Sequence, residues 1–275
     1  MKKYLFVSGD ARQGFAAEHI KNCGNQVAVV STYTQLRTLI KWADAIVLPL
    51  PVSRDRVHLN SLPENGLITL EELFFLFEEG MMVYAGMPSY DFCKRAENKG
   101  VKLYDYYKDE SLAIFNSVST AEGVIYELIG AGKINIQGSR IAVFGYGKAG
   151  TAVARRLLAL GADVSVFARS EKALTQAECD GCKVVSLYKI DNADTGFDFV
   201  VNTIPDVVIG EEFIKKLPAH CFMLEIASAP YGIDFDAAKK YGIEFKVAPS
   251  LPGRISPESA GKAIARAILK GEVSG

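Results

Sequence analysis

The sequence has no surplus of either charge. Its 31 Lys and Arg residues face 32 Asp and Glu, a formal net charge of −1, so broad electrostatic attraction to nucleic acid or anionic lipid has no basis. It has no long apolar run either. The most apolar stretches, 45–51 and 73–77, fall far short of the ~20 residues that a bilayer-spanning helix requires. No membrane span is expected. The apolar stretch 4–7 follows Lys2 and Lys3 but ends at Ser8-Gly9-Asp10, too early for a signal sequence. It reads as a first buried strand. Cysteine is sparse and odd in number, five in 275 residues. With no export signal, reduced thiols and a cytoplasmic location are expected. Cys179-Asp-Gly-Cys182 has metal-like spacing, but a zinc site needs a second pair, so no metal is expected. The histidines are only His19, His58 and His220, none in the pattern of a histidine-based hydride-transfer site. Low-complexity segments, long linkers and short-period repeats are all missing.

What is present is a composition of 49% hydrophobic and 23% charged residues, ordinary for a folded globular chain. Short apolar runs alternate with helix-like stretches from end to end, the pattern of parallel βαβ units. Residues 4–8, 27–31, 45–50, 82–85 and 101–105 read as strands, with helices over 15–22, 35–42, 70–79 and 92–98 between them. Thr69-Leu-Glu-Glu72 has the capping-box pattern at the start of a helix, and Ser119-Thr-Ala-Glu122 has it again. The second box predicts a helix running from 119 to about 130. The pattern then restarts, with strands at 140–144, 163–167, 199–202, 222–226 and 243–247. Ser256-Pro257 predicts an N-cap followed by proline at the first helical position. The expected organisation is a substrate domain over 1–118, a nucleotide-binding domain over 119–255, and a C-terminal helix over 256–275 packing back toward the first domain.

Gly145-Tyr146-Gly147-Lys148-Ala149-Gly150 is the strongest local signal. It follows the apolar strand directly and opens an amphipathic helix. In that context Gly145 permits a tight turn, Gly147 lets the backbone approach a pyrophosphate, and Gly150 lets helix and strand pack closely. The helix N-terminus would face the phosphates. The fold class is therefore α/β, two doubly wound, Rossmann-like parallel-sheet domains with a crevice between them. An enzyme using NAD normally carries an acid at the tip of the next strand, on the ribose 2′-hydroxyl. Here the tip reads Ala168-Arg169-Ser170, and a guanidinium beside a hydroxyl suits a 2′-phosphate. NADP is expected, with NAD left open. Asn202-Thr203-Ile204-Pro205 and Glu225-Ile-Ala-Ser228 end later strands on the same edge. Thr203 and Pro205 are expected beside the cofactor.

In the first half, Gly9-Asp10-Ala-Arg12-Gln13 follows the first strand. Arg12 is a planar fork suited to a carboxylate, and Asp10 is either a helix cap or a proton acceptor. Ser117, Ser119 and Thr120 are expected to precede a helix N-terminus, a place for an anion, with Glu122 as capping partner. Arg254 and Ser256 mark a second loop-to-helix entry.

Taken together, these segments resemble the dipicolinate synthase A-subunit over nearly the whole chain. The nucleotide-binding motifs are shared with many dehydrogenases. Asn116–Gly123 and Leu251-Pro-Gly253 with Ala260-Gly261 are far more specific to that family. The resemblance implies oxidation of 4-hydroxy-tetrahydrodipicolinate to dipicolinate, the product that loads bacterial endospores with its calcium chelate. It implies a small dicarboxylate heterocycle as substrate, the dipicolinate synthase B-subunit as partner, and homo-oligomeric assembly. Arg12, Ser117, Thr120, Ser228 and Arg254 would hold the carboxylates, with Asp10 as the catalytic residue. Two departures stand out. Ser119 replaces the family's usual proline, and Ala229-Pro230-Tyr231-Gly232 replaces Arg-Pro-Gly-Gly, which removes one carboxylate ligand. The alternatives are a D-2-hydroxy-acid or shikimate-type dehydrogenase, or a non-catalytic NADP-sensing subunit. The first of these needs a late histidine, and none follows His220. The second needs a Lys–Asp pair that is not found in the expected form.

Overall fold

The computed structural model describes residues 1–61, 67–132 and 134–271. It divides into two compact units, Met1–Phe115 with Ser256–Gly275, and Asn116–Ile255. The first unit carries a sheet of β1 (Lys3–Val7), β2 (Gln26–Val30), β3 (Ala45–Val47), β4 (Met82–Ala85) and β5 (Lys102–Asp105). Their order is β2-β1-β3-β4-β5 and all pairs are parallel. This is a doubly wound order whose direction reverses between β1 and β3, the point where such sheets bind ligands. Residues 4–7 of β1 are fully buried, as expected for a strand covered on both faces. α1 (Ala11–Asn22), α2 (Tyr33–Leu39), α3 (Leu70–Leu76) and α4 (Tyr90–Asn98) connect the strands. Thr69 and Glu72 form the expected capping box at the start of α3.

The second unit carries β6 (Arg140–Phe144), β7 (Asp163–Ala168), β8 (Lys183–Ser186), β9 (Phe199–Asn202), β10 (Phe222–Glu225) and β11 (Glu244–Val247). Their order is β11-β10-β9-β6-β7-β8, again all parallel. The winding direction reverses between β6 and β9. α6 (Lys148–Ala159), α7 (Glu171–Cys179), α8 (Glu211–Ile214), α9 (Phe235–Lys240) and α10 (Leu251–Ile255) complete the unit. Strand β8 has no counterpart among the expected strands. It is a four-residue edge strand of intermediate burial, too short to show an apolar run.

One expectation is corrected. No helix begins at Ser119. A single helix, α5 (Glu110–Ala131), runs through that position. Its start is capped ten residues earlier by Asp109, whose Oδ1 accepts from Leu112 N at 3.0 Å. The Ser/Asn-rich stretch reads as a break, but the helix continues through it even though Asn116 Oδ1 is buried there without a hydrogen-bond partner. Thr120 Oγ1 donates to the Asn116 carbonyl at 2.8 Å, a bond that a helix interior accommodates. Ala121, Val124 and Leu128 are fully buried in the core of the second unit, and burial of that kind outweighs weak local propensity.

α11 (Pro257–Gly271) closes the first unit. It buries Ala263, Ile264, Ala265, Ala267 and Ile268 in the same cluster as Ala16, Ala17 and Ile20 of α1. Gly261 allows the close approach. A Cβ there would lie 2.5 Å from the Arg12 carbonyl oxygen and 2.7 Å from Phe15 Cβ. Gly261→Ala should gain about 1 kcal/mol of helix propensity but cost about 1–3 kcal/mol through overpacking against backbone. The expected outcome is net destabilisation, read as a lower urea midpoint. An unchanged or higher midpoint would contradict the packing described. Among the described residues, no helix is long and apolar enough to cross a membrane.

Candidate functional site

In the second unit the functional residues gather where β6, β7, β9 and β10 end. Gly145 follows β6 with φ +95°, a region that favours glycine, and a Cβ there would collide with Thr203 Oγ1 and Ile204. A Cβ on Gly150 would collide with the Gly145 carbonyl. Gly147 differs, because nothing lies within 4 Å of its Cβ direction. Its backbone is open at the N-terminus of α6, where Lys148 and Ala149 begin a helix whose first N–H groups lack intrahelical acceptors. That is the donor set a pyrophosphate requires, so the residues present fit a dinucleotide.

Tyr146 straps this turn in place. Its hydroxyl donates to Asp180 Oδ2 at 2.5 Å, and Arg155 Nε and Nη2 donate to the same carboxylate at 2.9 and 3.0 Å. Burial and the Asp180 carboxylate hold the phenol above its ordinary value, so it stays a donor at neutral pH. Of the Cys179/Cys182 pair, Cys179 is exposed and Cys182 buried, and both are free. Burial pushes the Cys182 thiol up to about 11, which makes it a poor nucleophile.

At the tip of β7, Ser170 caps α7, its Oγ accepting from Ala173 N at 3.2 Å. Arg169 is half exposed, and its Nη2 donates to Asp206 Oδ2 at 2.6 Å. Past β9, Thr203 Oγ1 donates to the Phe144 carbonyl at 2.8 Å, and Pro205 is exposed. Thr203 therefore braces the end of β6 under the glycine-rich turn.

Glu225, the last residue of β10, is fully buried. It accepts from Ala227 N and Gly232 N at 2.8 Å each and from Ile233 N at 3.2 Å. Asn202 Nδ2 donates to both of its oxygens at 2.8 Å. Burial pushes this carboxyl above its ordinary value, against the pull of those donors. Sequence reasoning places Glu225 on the right edge but not in this role. The available signal is an acid closing an otherwise apolar run. Ser228, in the loop that Glu225 ties down, is exposed.

In the first unit, Asp10 caps α1 by accepting from Arg12 N at 3.0 Å. Arg12 is buried. Its Nε and Nη2 donate to the Asp10 oxygens at 2.9 and 2.7 Å, and Nη2 also donates to the Leu50 carbonyl at 2.6 Å. Gln13 Nε2 and the Tyr106 hydroxyl donate to the Leu48 carbonyl at 2.7 and 2.9 Å. The Arg12 and Gln13 bonds tie the start of α1 to the segment after β3, at the switch point of this sheet, and Tyr106 adds the segment after β5. Ser8 Oγ and Gln13 Oε1 are buried there without a hydrogen-bond partner. Buried polar atoms of this kind are uncommon and mark strained or ligand-binding places. His58, which the sequence pattern does not assign, turns its Nδ1 to Asp55 Oδ2 at 2.7 Å.

The remaining expected residues have other surroundings. Ser117 and Thr120 lie inside α5 rather than before a helix N-terminus, so the anion site expected there is not formed. Arg254 Nη2 donates to buried Glu127 at 3.3 Å, beside Lys246 Nζ at 2.5 Å. His220 pairs with Asp198 at 3.0 Å, and these residues precede β10 and β9, at the strand ends opposite the glycine-rich turn.

Among the described residues, five that are not glycine have positive φ: Ser8, Arg56, Met87, Tyr231 and Ser250. Each lies in a connection leaving the C-terminal end of a strand, where backbone strain is often kept for function.

Two doubly wound parallel sheets, one carrying a glycine-rich strand-to-helix turn, are the architecture of the nicotinamide-dinucleotide-binding dehydrogenases. Within that class the chain is similar to the dipicolinate synthase A-subunit. Residues 3–107 match the family model for the dipicolinate synthase A-subunit N-terminal domain. Residues 135–264 match that for the acetohydroxy acid isomeroreductase NADPH-binding domain. The dipicolinate synthase A-subunit of Bacillus subtilis strain 168 is 29% identical over 231 residues, covering 82% of this chain and 77% of that protein. The crystal structure of the A-subunit from Bacillus halodurans superposes with a TM-score of 0.86 at 29% identity, over 98% of this chain and 97% of that one. The Bacillus subtilis crystal structure gives 0.85 at 27% identity, over 99% and 97%.

The Glu225 network yields a test. Glu225→Gln keeps the shape but turns an amide donor toward backbone N–H groups. It should cost about 1–3 kcal/mol of stability, measured by urea denaturation, and weaken dinucleotide binding through the turn at Asn202. A variant as stable as the parent would show that the carboxylate does not organise this edge.

Proposed function

We propose that this chain is the dehydrogenase subunit that forms dipicolinate from 4-hydroxy-tetrahydrodipicolinate, with NADP+ as hydride acceptor and the dipicolinate synthase B-subunit as partner. The observation that carries the reading is the open Gly147 cradle next to an Arg169–Ser170 strand tip with no acid before it. The end-to-end likeness to the dipicolinate synthase A-subunit supports the substrate.

Loss of water from the substrate, then loss of a hydride and a proton, leaves an aromatic pyridine. The bound nicotinamide supplies the hydride acceptor. Aromatisation drives the step, so the chain's own task is binding and alignment. The first N–H groups of α6 hold the pyrophosphate. Arg169 and Ser170 hold the 2′-phosphate, the guanidinium by paired charge-assisted bonds. Thr203 and Pro205 shape the wall beside the glycine-rich turn. Ser228 offers an exposed hydroxyl to a substrate carboxylate. In the first unit the Arg12 cation is held by Asp10 and the Leu50 carbonyl. That engagement makes Asp10 an anchor for Arg12 rather than a free base. Ser117, Thr120 and Arg254 serve the helix and the β11 edge and are left out of the substrate contacts.

The decisive experiment generates the hydroxy-tetrahydrodipicolinate in situ and follows dipicolinate absorbance with NADP+ or NAD+, with and without the B-subunit. Product with NADP+ is expected. No product under any condition, despite tight NADP+ binding, would favour a sensing role. Arg169→Ala should weaken NADP+ binding about tenfold and leave NAD+ nearly unchanged, as loss of a charge-assisted pair predicts. Equal losses for both cofactors, measured by calorimetry, would remove Arg169 from the 2′-phosphate.

A further inference from the structure

We propose that Asp206 is a specificity-determining residue that competes with the cofactor's 2′-phosphate for Arg169 and so restrains the preference for NADP+. This inference rests on the reading that Arg169 meets that phosphate.

Arg169 follows β7 and Asp206 follows β9, and these strands flank β6 in the order β9-β6-β7. The Arg169–Asp206 pair, at 2.6 Å, therefore spans the end of β6, from which the glycine-rich turn departs. Both side chains are largely exposed, 52% and 62%. An exposed pair of this kind adds little to stability, so the fold does not depend on it. Its consequence falls on what approaches Arg169. A 2′-phosphate carries close to two negative charges. To reach the guanidinium it must displace or share with the Asp206 carboxylate, which repels it. A ribose 2′-hydroxyl is neutral and meets no such repulsion, and it can donate to a carboxylate. Arg169 thus favours the phosphate while Asp206 opposes it, and the two together set a smaller discrimination than the arginine alone would give. The sequence pattern directs the search for an acid to the strand that carries Arg169. The acid stands instead on a strand two places away in the sheet.

The test uses the full chain with 2′,5′-ADP and 5′-AMP as probes, titrated by calorimetry against the parent, Asp206→Asn, Arg169→Ala and the double variant. Asp206→Asn should bind 2′,5′-ADP about three- to sixfold tighter, the scale of one exposed charge contact. Its 5′-AMP affinity should stay within about twofold, since that probe lacks the phosphate in question. In the Arg169→Ala background the gain should shrink, because the competition for the guanidinium is gone and only the carboxylate's own repulsion of the phosphate remains. Unchanged or weaker 2′,5′-ADP binding by Asp206→Asn, or a gain that survives undiminished without Arg169, overturns the inference and leaves the NADP+ reading standing. If instead the parent binds 2′,5′-ADP no better than 5′-AMP and Arg169→Ala changes neither, the NADP+ reading falls and takes this inference with it.

Discussion

The carboxylate of Glu225 sets the shape of the edge on which the second unit's chemistry depends. A fully buried carboxylate is costly unless donors surround it, and here the donors come from two separate connections. Ala227, Gly232 and Ile233 donate from the loop after β10, and Asn202 donates from the turn after β9. The consequence passes along the chain. Asn202 Oδ1 accepts from Ile204 N at 3.1 Å, which fixes the turn holding Thr203. Thr203 in turn bonds the end of β6 and occupies the space beside Gly145. The opening at Gly147 is thus defined from two strands away, by a buried charge and not by the glycines alone.

The first unit solves the same problem with different residues. Its switch point is drawn together by Arg12, which Asp10 holds and which reaches the Leu50 carbonyl, and by Gln13 and Tyr106 on the Leu48 carbonyl. In both units a polar side chain at one strand end pins the loop leaving another. Residues in positive φ sit in these same connections. Stiff, strained strand ends suit a task of alignment, because misplacement by even ~1 Å costs rate steeply.

The strands and the glycine-rich turn are legible in the sequence because their signals are local. An apolar run ending in Gly145-Tyr-Gly needs only its neighbours to be understood. Asp10 as a helix cap is legible for the same reason. What escapes is non-local or masked by competing local signals. The Ser119 capping box is a valid pattern, but it lies within a helix already capped at Asp109, and the Thr120 hydroxyl bonds the Asn116 carbonyl inside that helix. Arg254 looks like a ligand because nothing in sequence shows buried Glu127 waiting 127 residues away. Asp206 lies 37 residues from Arg169, and only strand order brings them together. Strand β8 is too short and too exposed to announce itself.

The distribution of ionisable groups bears on what kind of chemistry this scaffold supports. Asp10, Arg12, Asp180 and Glu225 all lie close to strand or helix ends, and each is engaged by another side chain or by backbone. Groups so committed make poor proton shuttles, because moving a proton breaks the bonds that position them. They make good frames, since locked rotamers keep a binding geometry within tight limits. The histidine that pairs with a carboxylate in the second unit, His220, stands at the wrong end of the sheet to serve as a base. A reaction driven by formation of an aromatic ring needs less acid–base assistance than reduction of an unactivated carbonyl. A scaffold that commits its charges to rigidity is therefore better matched to the proposed aromatising oxidation than to hydroxy-acid chemistry that turns on a histidine.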